Sequence, residues 1–393
     1  MILKRSKLGD VCKIQSGNSI PAKEKDELFR NAKEGLPYVA TKDINFTGSI
    51  NFQNGIRIPS KFYNRFKLSK KDSVLICAEG GSAGRKIAYS NKDCHFVNKL
   101  FSIKPKDEIY VKYIYYYTLG DEFQKNFKKS MRGLIGGVSL SKIKSFQITY
   151  PCLTVQQDII TKLDAVFAEI DKIKLSIKYK TELSKRLFIK YLDSTFQNSK
   201  FKSIKIGDII GVHSGGTPST TNKNYWNGAI PWYSSRELND YRTKDSVKKI
   251  TKLALENSNA KIFPKNTLLI GIYDTAAMKM SILDQDGTFN QAIVGIPPNL
   301  KFETEYLFFA LNHLKDKILL ERRGVRQMNL SLAKIKNINL PQPTLEEQKN
   351  IINCCNRTKE QTKNLEKILV KKSHLLNSLK KSILNQKLNN KVA

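Results

Sequence analysis

"LGDVCKIQSGNSIPA" occupies residues 8–22 and "IGDIIGVHSGGTPST" occupies residues 206–220. Gly9, Asp10, Ser16 and Gly17 stand 198 positions before Gly207, Asp208, Ser214 and Gly215. The echo continues in order along the chain. "GLPYVATKDI" (35–44) answers "AIPWYSSREL" (229–238), "KKDSVLICAEG" (70–80) answers "PKNTLLIGIYD" (264–274), and "FVNKLFSIKP" (96–105) answers "FNQAIVGIPP" (289–298). The last pair is "RGLIGGVSLSKIKSFQITYP" (132–151) and "RGVRQMNLSLAKIKNINLP" (323–341), by which point the offset is 191. A single period spanning half the chain is a duplicated domain, not a solenoid of short repeats. Inside each copy, β-rich runs such as "SVLICA" and "TLLIGI" alternate with Gly, Pro, Asn and Ser, and "EYLFFALNHLKDKILLERR" has helical character. Each copy is therefore expected to be a mixed α/β domain.

Both copies close in the same way. Pro151 precedes Thr154-x-x-Gln157, and Pro343 precedes Thr344-x-x-Glu347. Each is the pattern of a capping box, which predicts a helix start. Apolar stripes follow: Ile159, Leu163, Val166, Ile170, Ile173, Ile177, Leu187 and Tyr191 in the first, and Ile351, Cys355, Leu365, Leu369, Leu376, Leu379 and Ile383 in the second. Steps of three and four alternate, as in a heptad seam, with Lys180 and Lys372 placed on it. A helix over 156–194 would be roughly 58 Å long at about 1.5 Å per residue, too long to lie on one domain. The expected fold is α+β: two tandem mixed α/β domains separated by two long helices packed as an antiparallel coiled coil, pseudo-two-fold symmetric. The boundaries fall at 1–151, 152–197, 198–341 and 342–393.

The chain has 68 basic and 35 acidic residues, a net charge of +33. Such a balance points first to a polyanionic partner, nucleic acid before membrane. Every one of the four segments is net positive and none is a polybasic tail, which favours folded binding surfaces. No apolar run approaches the roughly 20 residues of a membrane span. "MILKRSKLGD" lacks the apolar stretch of a secretory signal, so a cytoplasmic protein is expected. The six cysteines form no Cys-x-x-Cys pair and the four histidines stand alone, so no zinc site is expected.

Catalytic signatures are absent. No Gly-Lys dipeptide exists for a phosphate loop. Pro297-Pro298 lies between Ile296 and Asn299, unlike the (Asp/Asn)-Pro-Pro-(Tyr/Phe) of an amino-methyltransferase. The sole Glu-x-Lys, Glu347-Gln348-Lys349, sits in the capping box rather than beside a nuclease carboxylate. "AEGGSAGRK" (78–86) is Gly-rich but has the wrong spacing for a phosphate cradle.

"SGGTPSTTNKNYWNGAIPWYSSREL" (214–238), "FNQ" (289–291) and "RGVRQMNLSLAKIKNINLPQPTLEEQKNII" (323–352) resemble the specificity subunit of type I restriction–modification systems, and the likeness extends over essentially the whole chain. The first copy departs in having "SGNSIP" for "SGGTPS", no Tyr-Trp-x-Gly, and Asn98-Lys99 for Asn-Gln. The resemblance implies a non-catalytic subunit with two target-recognition domains, each reading half of a gapped double-stranded DNA sequence. It implies two modification subunits and two restriction subunits as partners, docked on the outward faces of 156–194 and 346–388, and no membrane. S-adenosylmethionine, ATP and Mg²⁺ would then sit on those partners, with no cofactor and no metal on this chain. Two-fold DNA backbone symmetry suits two like domains in successive major grooves, about 34 Å apart.

Base edges are read by bidentate groups and phosphates by cations and hydroxyls. The DNA-binding candidates are Thr41, Lys42, Ser82, Arg85, Lys86, Asn98 and Arg132 in the first copy. In the second they are Ser235, Arg236, Tyr273, Thr275, Lys279, Arg322, Arg323 and Arg326. The lysine of "GSAGRK" suits phosphates; Arg236 and Arg326 suit bases. Trp226 and Trp232 are expected in the core, and Gln157 and Gln348 as helix caps. Two other readings stay open: a specificity subunit of a fused endonuclease–methyltransferase, and a basic coiled-coil scaffold without sequence preference.

Overall fold

The computed structural model describes residues 3–132, 136–197, 201–208, 211–320 and 330–389. It divides into two compact units, Met1–Ile177 with Lys371–Ala393, and Lys178–Val370. Each unit is one globular copy with half of each long helix.

In unit one, a fully antiparallel sheet runs Cys12–Ser16, Leu100–Pro105, Ser73–Cys77, Ile87–Ser90. In unit two, His213–Ser214, Ile293–Ile296, Leu268–Gly271 and Met280–Ile282 follow the same order. A second sheet in each unit contains one parallel pair, Leu36–Val39 with Cys94–Phe96 and Trp226–Tyr233 with Thr288–Phe289. A two-stranded ribbon closes each copy, Lys4–Lys7 with Gln147–Tyr150 and Ser203–Lys205 with Asn339–Pro341.

The central strand explains the layering. Alternate side chains of a strand face opposite ways. Val74 and Ile76 pack with Tyr113, Ile114 and Phe123, while Leu75 and Cys77 pack with Val39 and Phe96 of the second sheet. In unit two Leu268 and Ile270 face the helix Thr304–Leu320, and Leu269 faces Tyr233 and Phe289. "SVLIC" and "TLLIG" read as unbroken apolar runs because both faces are covered.

The opening echo has a structural cause. A Cβ on Gly17 would stand 2.0 Å from the carbonyl oxygen of Phe96, and one on Gly215 would stand 2.2 Å from that of Phe289. These glycines let the first strand of one sheet pass against the parallel pair of the other. The turn before each central strand also repeats: Asp72 and Asn266 both take the left-handed conformation, at φ 59° and 66°.

The long helices run Leu153–Gln197 and Leu345–Asn389, 45 residues each. In unit one, Lys380 pairs with Asp171 at 3.1 Å and lies over the Phe167 ring, and Leu384 shares a core with Ile160, Leu163 and Phe167. In unit two, Ile352 and Cys355 share a core with Leu192 and Phe196. Within each unit, then, the start of one helix lies against the end of the other.

The predicted seam needs correction in phase. Ile160 and Phe167 are buried where Ile159 and Val166 were expected, and Leu187 and Leu379 are 50% and 49% exposed. Lys180 and Lys372 are exposed rather than inward. The alternation of three and four is real, but the inward set is chosen by packing on the globules as well as by helix against helix. The capping boxes also part company. Thr344 and Glu347 form one, with Glu347 N donating to Thr344 Oγ1 at 3.3 Å and Thr344 N to the Glu347 carboxylate at 2.8 Å. Thr154 and Gln157 do not, because the first helix already starts at Leu153 and Gln157 bonds within it to Thr161.

The fully buried His95 sits beside the Tyr63 and Phe66 rings with Nδ1 3.1 Å from the Lys67 carbonyl oxygen. Burial lowers its pKa below 6.5. The unfolded chain therefore takes up the proton first, so this contribution to stability is present above about pH 6.5 and is lost as pH falls below it. Far-UV denaturation curves are expected to lose that part of the acid destabilisation in His95→Phe.

Candidate nucleic-acid interface

In unit one a one-turn 3₁₀ helix, Thr41–Asp43, presents Thr41 and Lys42. It is held from beneath by the buried carboxylate of Asp43, which accepts from the Ala40 amide at 2.8 Å and from Asn54 Nδ2 at 2.7 Å. In unit two the 3₁₀ turn Ser235–Glu237 presents Ser235 and Arg236. Glu237 accepts there from the Ser234 amide and hydroxyl at 2.8 Å each, and from the Val247 amide at 2.9 Å. Lys42 and Arg236 are both exposed and hold matching positions.

The loop after each central strand meets this turn. Lys86 Nζ donates to the Thr41 carbonyl at 2.9 Å. Lys279 Nζ donates to Asn239 Oδ1 at 3.0 Å, and Asn239 Nδ2 donates to the Arg236 carbonyl at 2.6 Å. The loops turn alike, through left-handed Gly84 and Met278. Arg85 stacks over the exposed Phe46 ring, 5.0 Å from its centroid, and Lys86 lies 5.3 Å from it. Ser82 lies within this loop; Tyr273 and Thr275 are exposed on the loop of unit two.

A third strip joins in unit one. Ala78 N donates to the Lys99 carbonyl, Lys99 pairs with Glu79 at 3.2 Å, and Glu79 bridges to Gly137, which exchanges backbone bonds with Arg132. The Ser16 hydroxyl donates to the Asn98 carbonyl at 2.8 Å. In unit two Thr217 bonds to Gln291, and the Leu330 amide donates to the Ile272 carbonyl at 2.8 Å. The structure thus gathers Thr41, Lys42, Ser82, Arg85, Lys86, Asn98 and Arg132 around one linked set of loops, and Ser235, Arg236, Tyr273, Thr275 and Lys279 around its counterpart. Arg322, Arg323 and Arg326 lie outside the described residues. Asp43, Glu237 and Phe46 were not among the candidates. The signal for the first two was the repeated Thr-Lys-Asp and Ser-Arg-Glu. Trp232 is buried in the core as expected, while Trp226 is half-buried and packs edge-on against it at 5.1 Å.

Gln348, expected as a cap, has a larger role. Its Nε2 donates to the carbonyls of Lys301 (2.9 Å) and Pro343 (3.0 Å), and its Oε1 accepts from the Glu303 amide (2.8 Å). In unit one Gln156, not Gln157, makes the same three bonds, to Glu108 (3.1 Å), Pro151 (2.8 Å) and the Tyr110 amide (2.9 Å). Both glutamines are fully buried and pin a long helix to its globule.

Among the described residues no group of three or more His, Cys, Asp or Glu is placed to hold a metal, and no helix is long and apolar enough to cross a membrane. The construction is that of a duplicated recognition module, one scaffold bearing two differently equipped loop clusters. The chain belongs to the Methylase_S family, the type I restriction modification DNA specificity domain, which matches residues 3–180 and 198–371. It is the non-catalytic, specificity component of such a system. It is 23% identical over 301 residues to the type I restriction enzyme EcoR124I/EcoR124II specificity subunit of Escherichia coli, covering 72% of each chain. Its fold matches a chain solved for the complex assembly and conformational transition of the type I R-M system (TM-score 0.78, 14% identity, 99% of this chain and 98% of that one). It also matches the HsdS subunit from Thermoanaerobacter tengcongensis (TM-score 0.62, 15% identity, 99% and 97%).

Proposed function

We propose that the chain reads a bipartite, gapped DNA target, one half per unit, for a type I restriction–modification complex. The observation that carries this is the matched 3₁₀ turn. The same carboxylate-held scaffold offers Thr41 and Lys42 in one unit and Ser235 and Arg236 in the other, so the same approach to DNA would read two different half-sites. The loop cations of each cluster suit phosphates, which position the reader without carrying sequence information. Modification and restriction subunits are the partners, as the complexes to which the relatives belong imply. The exposed apolar residues of the long helices fit their docking: Leu175 and Leu375 in unit one, Leu183 and Ile368 in unit two. Exposed apolar surface rimmed by charge marks protein contact.

Base-resolved mapping of N6-methyladenine in the host genome, with and without this gene, tests the reading. Loss of one gapped motif is the expected result. An unchanged map in a host with an active system would overturn it.

A further inference from the structure

Unit one holds two adjoining clefts of about 450 and 420 Å³, which share Ser130, Arg132, Lys142 and Ser145. Arg5, from the ribbon strand, and Lys129, at the end of the helix Asp121–Ser130, complete a set of four lining cations. Glu122 is the single lining carboxylate. Among the described residues none of the four cations enters an ion pair, although their neighbours Lys4 and Lys99 do. The cleft adjoins the candidate reading loop: Arg132 exchanges backbone bonds with Gly137, and Gly80 N donates to the Gly136 carbonyl at 2.8 Å.

Unit two has the same cleft with a different lining. Ser139 and Ser331 cap equivalent short helices, each accepting at 3.2 Å from the amide of Lys142 or Lys334, so the two lysines correspond. Among the described residues the second cleft, about 420 Å³, is walled by Leu314, Ile318 and Leu330, with Lys317 and Lys334 as its cations; Arg323, the counterpart of Arg132 in the repeat, lies outside the described residues. Among the described residues the unit-one cleft is hydroxyl-rich and cationic, while the described walls of its counterpart are largely apolar.

We infer that the Arg5–Lys129–Arg132–Lys142 cleft is a phosphate clamp, gripping the DNA backbone beside the half-site read by unit one. This rests on the DNA-reading function proposed above. The chemistry favours a phosphate backbone over a protein surface. Guanidinium, ammonium and hydroxyl donors are the usual phosphate ligands. A protein interface would bring an apolar centre, which this cleft lacks.

The test uses the full chain in complex with its modification subunit, and two duplexes, one carrying the mapped motif and one with it scrambled. Kd is measured across a salt series for wild type, for Arg5→Gln/Lys129→Gln/Lys142→Gln, and for Lys317→Gln/Lys334→Gln. The three side chains replaced in the unit-one cleft are exposed, so thermal unfolding of that variant should be unchanged. The triple variant is expected to weaken both duplexes alike, by about tenfold or more. The slope of log Kd against log salt should fall by about two to three, near 0.9 for each phosphate no longer neutralised, with the preference for the motif intact. The unit-two variant is expected to leave the slope nearly unchanged. A wild-type slope in the triple variant overturns the clamp, as does a weakening confined to the motif duplex. So does release of the modification subunit with DNA binding retained, which would make the cleft a protein-docking surface. A wild-type complex with no preference for the motif removes the DNA-reading function itself, and that is seen before any variant is compared.

Discussion

Gln348→Leu is expected to lower the stability of unit two by about 3 kcal/mol or more, with little effect on unit one. Leucine fills much of the same volume, so the loss is polar. Three hydrogen bonds disappear, and the Glu303 amide and the Lys301 and Pro343 carbonyls lose a partner that is itself fully buried. A typical net hydrogen bond contributes about 1 kcal/mol, and a buried orphan costs about 1–3 kcal/mol. Gln348→Glu is the sharper comparison. It keeps the shape and one acceptor but turns the donor to two carbonyls into a buried negative oxygen, so it should cost at least as much. The chain provides its own reporter. Its two tryptophans, Trp226 and Trp232, are both in unit two. In urea, Gln348→Leu should move the tryptophan fluorescence midpoint, whereas Gln156→Leu should move the far-UV transition of unit one and leave the fluorescence midpoint in place. Equal shifts of both signals in either variant would mean that the glutamines are not local pins.

Those glutamines show what a sequence discloses and what it conceals. The duplication, the α+β class and the two long helices were legible because each rests on local spacing: glycines at recurring close approaches, unbroken apolar central strands, heptad steps. The phase of the helices was not. Thr154-x-x-Gln157 and Thr344-x-x-Glu347 match as patterns at an offset of 190, but the folded chain repeats at 192, where Leu153 meets Leu345 and Gln156 meets Gln348. Two residues decide which face turns inward, and no local rule favours Gln156 over Gln157. What decides is the backbone of the preceding loop, Glu108 and Tyr110, contributed from more than 40 residues away in sequence. The interface follows the same logic. Exposed cations could be nominated from composition. The carboxylates that hold them, the buried Asp43 and the half-buried Glu237, look like ordinary surface acids until their bonds with Asn54 and Val247 are seen.

Arg236→Ala is expected to relax the target at one position, or two adjacent ones, within a single half-site and to leave the other half unchanged. Arg236 is exposed at the tip of a turn whose backbone is fixed at both ends, by Glu237 beneath and by Asn239 Nδ2 on its own carbonyl. A guanidinium on a rigid mount is the usual bidentate reader of guanine, contributing about 1–3 kcal/mol against the wrong base, or about 5- to 150-fold in discrimination. The methylation map of the variant should therefore show one degenerate letter in one half of the motif. Lys42→Ala should do its damage in the opposite half, because it occupies the equivalent turn of the other unit. Glu237→Ala keeps the arginine but removes its mount. If orientation matters as much as charge, it should broaden the same letter as Arg236→Ala. Salt then separates reading from gripping: removing a base reader such as Arg236 changes the ratio of motif to scrambled affinity, while removing a phosphate ligand weakens both duplexes alike and lowers the slope. Degeneracy in both halves after Arg236→Ala would refute the assignment of one half-site to each unit.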